Sequence, residues 1–343
     1  MRPTVFPIGA RQVGAGQPCF VLAEVASAHG GSADRALRML EAAFKMQADG
    51  IKFQLFRSEL LVVRRHPGRR DFDQIELTAR EWKKVLRAGK ASGLAVLAEA
   101  FDVPSLELAA AEGADAFKVH STDMENPELI RCVGAAGRPV LLATGGVPED
   151  AVREAMDLAG SVPVGLLHGF QTFPTPIEEI RYRDLAALKE RHRVPVGFLD
   201  HTDGGSAFAL VAPALAVAHG ADLVEKHFTL DRSEKGYDYQ SSLSPEDFYR
   251  MVELLRQAER AAGDGPVAES EGAKRYHRMM ARSIVAGGLI PRGEVLTAPM
   301  LAFKRTDVRR EPGFPPREAH RVIGRRARRP IEADETIRED MLE

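Results

Sequence analysis

A (β/α)8 barrel followed by a small β-rich domain is the fold this sequence predicts, and three observations lead to it. Short apolar segments and helix-like segments alternate eight times between Pro18 and Gly263. Eight such units in roughly 250 residues match the size and rhythm of a parallel (β/α)8, or TIM, barrel. Beyond Gly263 the alternation stops, and short β-like pieces between turn residues replace it.

The strand candidates are Cys19–Val25, Gly50–Phe56, Leu94–Phe101, Ala116–His120, Pro139–Thr144, Pro163–Phe170, Pro195–His201 and Leu223–Leu230. All are short and apolar-rich, as strands covered on both faces should be. Helical stretches follow them at Ala33–Gln47, Ala79–Ser92, Pro104–Glu112, Pro127–Ala136, Pro148–Ala159, Ile177–Arg193, Ser206–His219 and Pro245–Ala262. The boundary chemistry agrees: Ser32 and Thr78 stand as N-caps, Thr78 with Glu81 forms a capping box, and Gly93, Gly113, Gly137, Gly160 and Gly220 follow helix ends. A doubly wound open sheet is the alternative, but the segment from Ala23 to Gly31 lacks the G-x-G-x-x-G spacing such a sheet carries after its first strand.

The domain organisation read from this pattern is a barrel over residues 1–265, a linker over 266–280 and a compact module over 281–343. In the module the β-like pieces are Ser283–Ala286, Leu296–Thr297 and Arg321–Ile323.

Composition narrows the class further. A 343-residue chain with 44% hydrophobic residues can bury a large core, and a net charge of −2 gives no general attraction to nucleic acid or anionic membrane. The Arg-rich stretch from Arg321 to Arg329 lies in a module with 13 Lys and Arg against 10 Asp and Glu, so a solvated face is expected rather than a nucleic-acid patch. The longest apolar run, Ala207–Ala218, has twelve residues and contains Pro213, too short to span a bilayer. Cys19 and Cys132 have no paired spacing, and no signal-like stretch follows Met1. A cytoplasmic enzyme without disulfides is the expectation.

In a barrel the chemistry sits where strands give way to loops. Glu24, Lys52, Gln54, Glu99, Lys118, Ser121, Asp123, His168, Gln171, Asp200, His201, Glu225, Lys226 and His227 all fall near strand ends. His201 and His227, each closing a strand, suit a catalytic divalent metal with positions left for water and substrate. His120 and His168 compete for that role. Lys52 and Lys118 either anchor an anionic substrate group or pair with a neighbouring carboxylate such as Glu24 or Asp123.

The motifs then converge. Ala23-Glu24-Val25, Lys52-Phe53-Gln54, Phe117-Lys118-Val119-His120-Ser121, Thr144-Gly145-Gly146, Phe173-Pro174-Thr175-Pro176, Asp200-His201-Thr202 and the segment Glu225–Asp231 resemble the signatures of the sialic acid (nonulosonate) synthases. The tail, through Arg282-Ser283-Ile284, Ile290–Leu296, Lys304-Arg305 and Val322–Arg325, is similar to the antifreeze-like (SAF, β-clip) domain that ends those enzymes. The resemblance runs nearly end to end. It implies condensation of phosphoenolpyruvate with an N-acyl hexosamine to a nine-carbon 2-keto acid, releasing phosphate.

It further implies manganese or magnesium held by His201 and His227, and phosphoenolpyruvate held by Lys52, Lys118 and Ser121. Gln54, Asp123, Gln171, Phe173 and Asp238 would hold the sugar, and Glu24 would position water. A domain-swapped homodimer is implied as well, in which Arg305 of one chain serves the sugar site of the other.

The chain departs from the family pattern in places. Glu99 and Ala143 stand where the family carries a phosphate-holding threonine and serine, and His168-Gly169-Phe170-Gln171-Thr172-Phe173 replaces a Cys-Thr pair and a tyrosine. Glu99 and Ala143 favour a second reading, a metal-dependent aldolase or lyase that uses no phosphoenolpyruvate. In a third, non-enzymatic reading the barrel is a scaffold and the tail an interaction module.

Overall fold

The computed structural model describes residues 2–170, 172–263, 270–306 and 313–343. The chain divides into two compact units, Met1–Asp264 and Gly265–Glu343.

The first unit is a closed barrel of eight parallel strands: β3 (Phe20–Glu24), β4 (Gly50–Leu55), β5 (Ala95–Ala100), β6 (Ala116–Val119), β7 (Val140–Ala143), β8 (Val164–His168), β9 (Val196–Asp200) and β10 (Leu223–His227), with β10 closing onto β3. Each predicted strand is present, a residue or a few shorter at its ends. Two further strands precede the barrel, β1 (Val5–Ile8) and β2 (Arg11–Gly14), paired as an antiparallel hairpin. The hairpin escapes a periodicity search because each strand has four residues and Pro7 interrupts the first. Its buried Phe6, Ile8 and Val13 pack with Phe20, Leu22, Leu97, Leu141, Leu167, Leu199 and Leu223, the inward residues of the strands. The lower half of the barrel is therefore solid hydrocarbon. Ionisable residues are displaced toward the strands' C-terminal ends.

A larger apolar layer lies between the sheet and the surrounding helices. Helix starts follow their local chemistry: the Thr78–Glu81 capping box is formed, and Ser32, Asp102, Asn126 and Ser244 each accept a backbone N–H at the first turn. Two short helices not foreseen in the sequence, Ser58–Leu61 and Arg69–Ile75, lie between β4 and the helix Ala79–Ala91.

The predicted helix Ile177–Arg193 is corrected. It is a 3-10 turn, Ile177–Glu179, and a separate helix, Arg183–His192, with Arg181 at φ 55° between them. Ile180 turns into the core at the break, and its carbonyl accepts the His168 Nε2–H at 3.1 Å, a bond a continuous helix would have used internally.

In the second unit, Ser270 caps a helix, Glu271–Met280, so the described part of the expected linker is helical; residues 266–269 lie outside the described residues. β11 (Arg282–Ala286) pairs antiparallel with β12 (Leu301–Arg305), which the sequence reading did not anticipate. The expected β-piece Arg321–Ile323 is corrected. Residues Pro316–Arg321 form a 3-10 helix begun by the fixed φ of a proline at its first position, and Val322 drops into the core. Ile284, Ile290, Leu296, Ile331, Ile337 and Leu342 complete that core. No helix among the described residues is long and apolar enough to cross a membrane.

Candidate active site

Side chains alternate faces along a strand, and this parity sorts the ionisable residues. On β10, Leu223, Glu225 and His227 share the inner face, while Lys226 lies on the outer one. The sequence reading that placed Asp200 and Lys226 on the active-site rim is corrected accordingly. They are buried beside each other, Lys226 Nζ lying 3.1 Å from Asp200 Oδ2 and donating to Thr202. The pair ties β9 to β10 from outside.

Inside, five charged residues meet above the hydrocarbon floor. Lys52 Nζ lies 2.6 Å from Glu24 Oε2, 2.8 Å from Glu99 Oε2 and 2.8 Å from Glu225 Oε1. Lys118 Nζ lies 2.8 Å from Glu225 Oε1 and 3.3 Å from Glu99 Oε1. All five side chains are buried. Lys52 thus takes Glu24 as a partner, as one sequence reading expected, whereas Lys118 takes Glu99 and Glu225 rather than Asp123.

Three carboxyl groups face two ammonium groups in a buried space, which makes the protonation states interdependent. Burial draws Lys52 down to about 8 against the pull of Glu225 and Glu99. Burial also acts against the Lys118 ammonium, but Glu225 and Glu99 outweigh it and hold that group above the usual lysine range. Burial resists ionisation of Glu99 and Glu225; Lys118 and Lys52 overcome it and keep both below the usual carboxylate range.

Above this cluster opens a cavity of about 240 Å³ whose lining includes Lys118, Glu225, Gln54, Asp238, His201 and His227. The two imidazoles lie together, ring centroids 5.0 Å apart, with Phe173 against both at 4.6 and 6.0 Å. Burial, then the charge of Lys118, lowers His201 to about 4. Burial, then His201 and the lysines, takes His227 well below its ordinary value. Both rings are neutral at pH 7.

The Phe170 carbonyl lies 2.8 Å from His201 Nδ1, and since a carbonyl only accepts, Nδ1 carries the proton and Nε2 keeps its lone pair. Glycine makes this possible: a Cβ on Gly145 would stand 1.8 Å from the Gly169 carbonyl oxygen, so only glycine lets the loop before Phe170 settle there.

The remaining predicted residues are distributed as follows. Gln54 Nε2 donates to Glu99 Oε2 at 3.0 Å. Asp238, at φ 59°, accepts the Ser27 N–H at 3.5 Å, and burial raises its carboxyl. Ser121 and Asp123 occupy the half-buried 3-10 turn after β6 and do not line the cavity; burial raises Asp123 too. Glu24 does not line it either, its oxygens being held by the Ala26 N–H and by Lys52. Arg305 is exposed on β12 of the second unit, opposite Arg282 in register. Gln171 lies outside the described residues.

Of the competing histidines, His120 lines the cavity, while His168 is turned to Ile180. Cavity residues that the sequence reading did not single out as site residues include Phe56, Leu61, Phe72 and Phe101. Glu99 and Glu225 were legible in the sequence as strand-end carboxylates, but not as shared partners of both lysines.

The two neutral imidazoles fit a divalent cation in donor type and charge. Among the described residues no group of three or more His, Cys, Asp or Glu side chains is arranged to hold a metal. Further coordination positions would fall to water or substrate.

A closed parallel barrel that draws its ionisable side chains into one cavity at the strands' C-terminal ends is an enzyme architecture. This chain belongs to the NeuB family, whose profile matches residues 39–266, and it carries a SAF domain over residues 281–343. It is 33% identical to an uncharacterised protein of Methanocaldococcus jannaschii over 87% of this chain and 88% of that one. It is 28% identical to pseudaminic acid synthase of Campylobacter jejuni, covering 93% and 95% of the two chains. Its fold matches the N-acetylneuraminic acid (sialic acid) synthetase of Leptospira borgpetersenii with a TM-score of 0.75 at 26% identity, covering 80% of this chain and 95% of that one.

Proposed function

We propose that this enzyme is a nonulosonate synthase: it joins phosphoenolpyruvate and an N-acyl hexosamine in its open-chain form to give a nine-carbon 2-keto acid and phosphate. The observation that carries the reading is the convergence of neutral His201 and His227 on a cavity that also presents the Lys118 ammonium. The names of the relatives support the same class of reaction. The reading includes a homodimeric, cytoplasmic enzyme.

In the reaction, C3 of the enolpyruvate forms a bond to the sugar aldehyde carbon. Water adds at C2, the C2–O bond to phosphorus breaks, and phosphate leaves; one water is consumed and its protons pass to the new hydroxyl and to phosphate. His201 and His227 would hold manganese or magnesium, which when bound supplies Lewis acidity toward the aldehyde oxygen. Lys118, with Lys52 behind it and Ser121 nearby in sequence, would hold the phosphate and carboxylate of phosphoenolpyruvate. Gln54, Phe173 and Asp238 would orient the sugar, with Asp123 and Gln171 as further contacts and, in a domain-swapped homodimer, Arg305 supplied by the other chain. The buried lysine–glutamate cluster places fixed charge where little water screens it, the setting in which electrostatic stabilisation is largest. Glu24 would influence water at C2 through Lys52, to which it is bound.

Phosphate release with manganese, measured across N-acetylmannosamine, mannosamine 6-phosphate and diacetamido-trideoxyhexoses, tests the reading. Both His201→Ala and His227→Ala should abolish it. Full activity in both variants would remove the metal assignment.

One observation favours a second reading. Glu99 pairs with both Lys52 and Lys118, so the ammonium groups that would receive a phosphate already have carboxylate partners. An aldolase or lyase acting on a related sugar acid would need no phosphate pocket. Cleavage of such an acid, without phosphate release from phosphoenolpyruvate under any condition, is the result that would select it.

A further inference from the structure

Asp200 and Lys226 form the last registered pair between β9 and β10, and one residue further along each strand stands a cavity imidazole, His201 or His227. β9 ends at Asp200, so the ladder to β10 stops short of His201. What bridges the gap lies behind the rings, on the outer face of the barrel. Lys226 Nζ lies 3.1 Å from Asp200 Oδ2 and donates to Thr202 O and to Thr202 Oγ1, each at 3.1 Å. Asp200 Oδ1 in turn accepts the Thr202 N–H at 2.8 Å and the Thr202 Oγ–H at 2.6 Å. The residue before one imidazole thus grips the residues on both sides of the other.

The three N–H groups of the ammonium meet three oxygens, and all three residues are buried. Stability of the fold does not by itself call for such a group, since a buried ion pair replaced by apolar residues of similar volume often leaves a protein as stable or more so. Loop contacts also hold His201: its carbonyl accepts the Thr175 N–H and the Ser241 Oγ–H, each at 2.9 Å. Those contacts fix His201 against the loops. Lys226 fixes it against the strand that carries His227.

We propose that Lys226 is a positioning residue for the imidazole pair: by locking Asp200 and Thr202 it sets where His201 stands relative to His227, and so how tightly the pair holds a divalent cation. The inference deepens the condensation reading and rests on its metal assignment. Loosening the groups that orient ligating histidines typically costs about 10- to 100-fold in metal affinity.

Calorimetric titration of the full-length, metal-free protein with manganese chloride tests the proposal. Lys226→Met alone would leave the buried Asp200 carboxylate without its cation, so the test variant is Asp200→Asn/Lys226→Met, which buries no charge and keeps an oxygen for the Thr202 N–H. It should remain folded without metal, by circular dichroism and thermal melting, and bind manganese about 10- to 100-fold more weakly. Phe6→Ala, which loosens the barrel floor away from the cavity, should lower the melting temperature and leave manganese affinity unchanged. A folded double variant with unchanged affinity overturns the proposal. If that variant does not fold, Thr202→Val, of nearly the same shape and lacking Oγ1, takes its place: weaker manganese binding supports the proposal and unchanged affinity overturns it.

The two layers of argument fail differently. No manganese binding by the unsubstituted protein removes the metal assignment, and the positioning role with it. Manganese binding that the double variant leaves intact removes the positioning role alone, and the condensation reading then stands or falls on phosphate release.

Discussion

Lys118 on β6 reaches across the barrel to Glu225 on β10, the strand diametrically opposite in the ring, with Nζ 2.8 Å from Oε1. A contact of this reach holds the barrel's cross-section as well as its electrostatics. Lys118→Met would leave Glu99 and Glu225 with Lys52 as their remaining ammonium, and breaking a buried pair typically costs about 3–5 kcal/mol. Urea unfolding should show a loss of that size. The Lys118→Met/Glu225→Gln double variant should recover a substantial part of it, because the excess buried carboxylate is then removed.

Glu99 controls how available the ammonium groups are. Under the condensation reading, Glu99→Thr should lower the KM for phosphoenolpyruvate. Like charges 4 Å apart repel by about 4 kcal/mol at an effective dielectric of about 20, and a third of that is about tenfold in affinity. Steady-state phosphate release at fixed sugar and manganese measures it. An unchanged or higher KM would show that the anion does not approach Glu99.

His29 predicts a pH dependence away from the cavity. Its Nδ1 accepts the Gly31 N–H, its buried Nε2 has no hydrogen-bond partner among the described residues, and its ring meets Trp82 edge-on at 5.6 Å. Burial, aided by Arg35, lowers it from 6.5 to about 4. The native ring is neutral while the unfolded one gains a proton below pH 6.5. Stability should therefore fall as pH drops from about 6.5 to about 4, by about 3 kcal/mol from this group, and level off for it below that. Unfolding monitored by Trp82, the only tryptophan, should show a flatter profile in His29→Gln.

The N-terminal hairpin predicts a stability effect separable from chemistry. Phe6 is buried against the lower interior of the barrel, on the side away from the strand ends that build the cavity. Phe6→Ala should cost about 3–5 kcal/mol in denaturant unfolding while leaving kcat per folded enzyme near its original value. A large fall in kcat with unchanged stability would contradict this placement of the hairpin.

The barrel was legible because its information is local and repeated. Eight apolar runs, the capping box at Thr78 and Glu81, and glycines past helix ends each state their element within a few residues. The four-residue strands β1 and β2 stand outside the repeated βα rhythm and carry too little period of their own to be read, and β12, whose residues are half-buried or exposed, shows no apolar alternation. Helix-forming composition overstated Ile177–Arg193, where burial of Ile180 and the bond to His168 outweighed propensity.

By itself the sequence determined that His201 and His227 would lie where strands give way to loops, and that Lys52 and Lys118 would lie on barrel staves. It could not decide that these lysines share Glu99 and Glu225, or that Phe56, Leu61, Phe72 and Phe101 would form one wall. Barrel closure decided the first, because it brings inward-facing residues from strands distant along the chain, and across the ring, into one buried interior where charges must find partners; the two short helices after β4 decided the second by carrying Leu61 and Phe72 to the cavity beside Phe56.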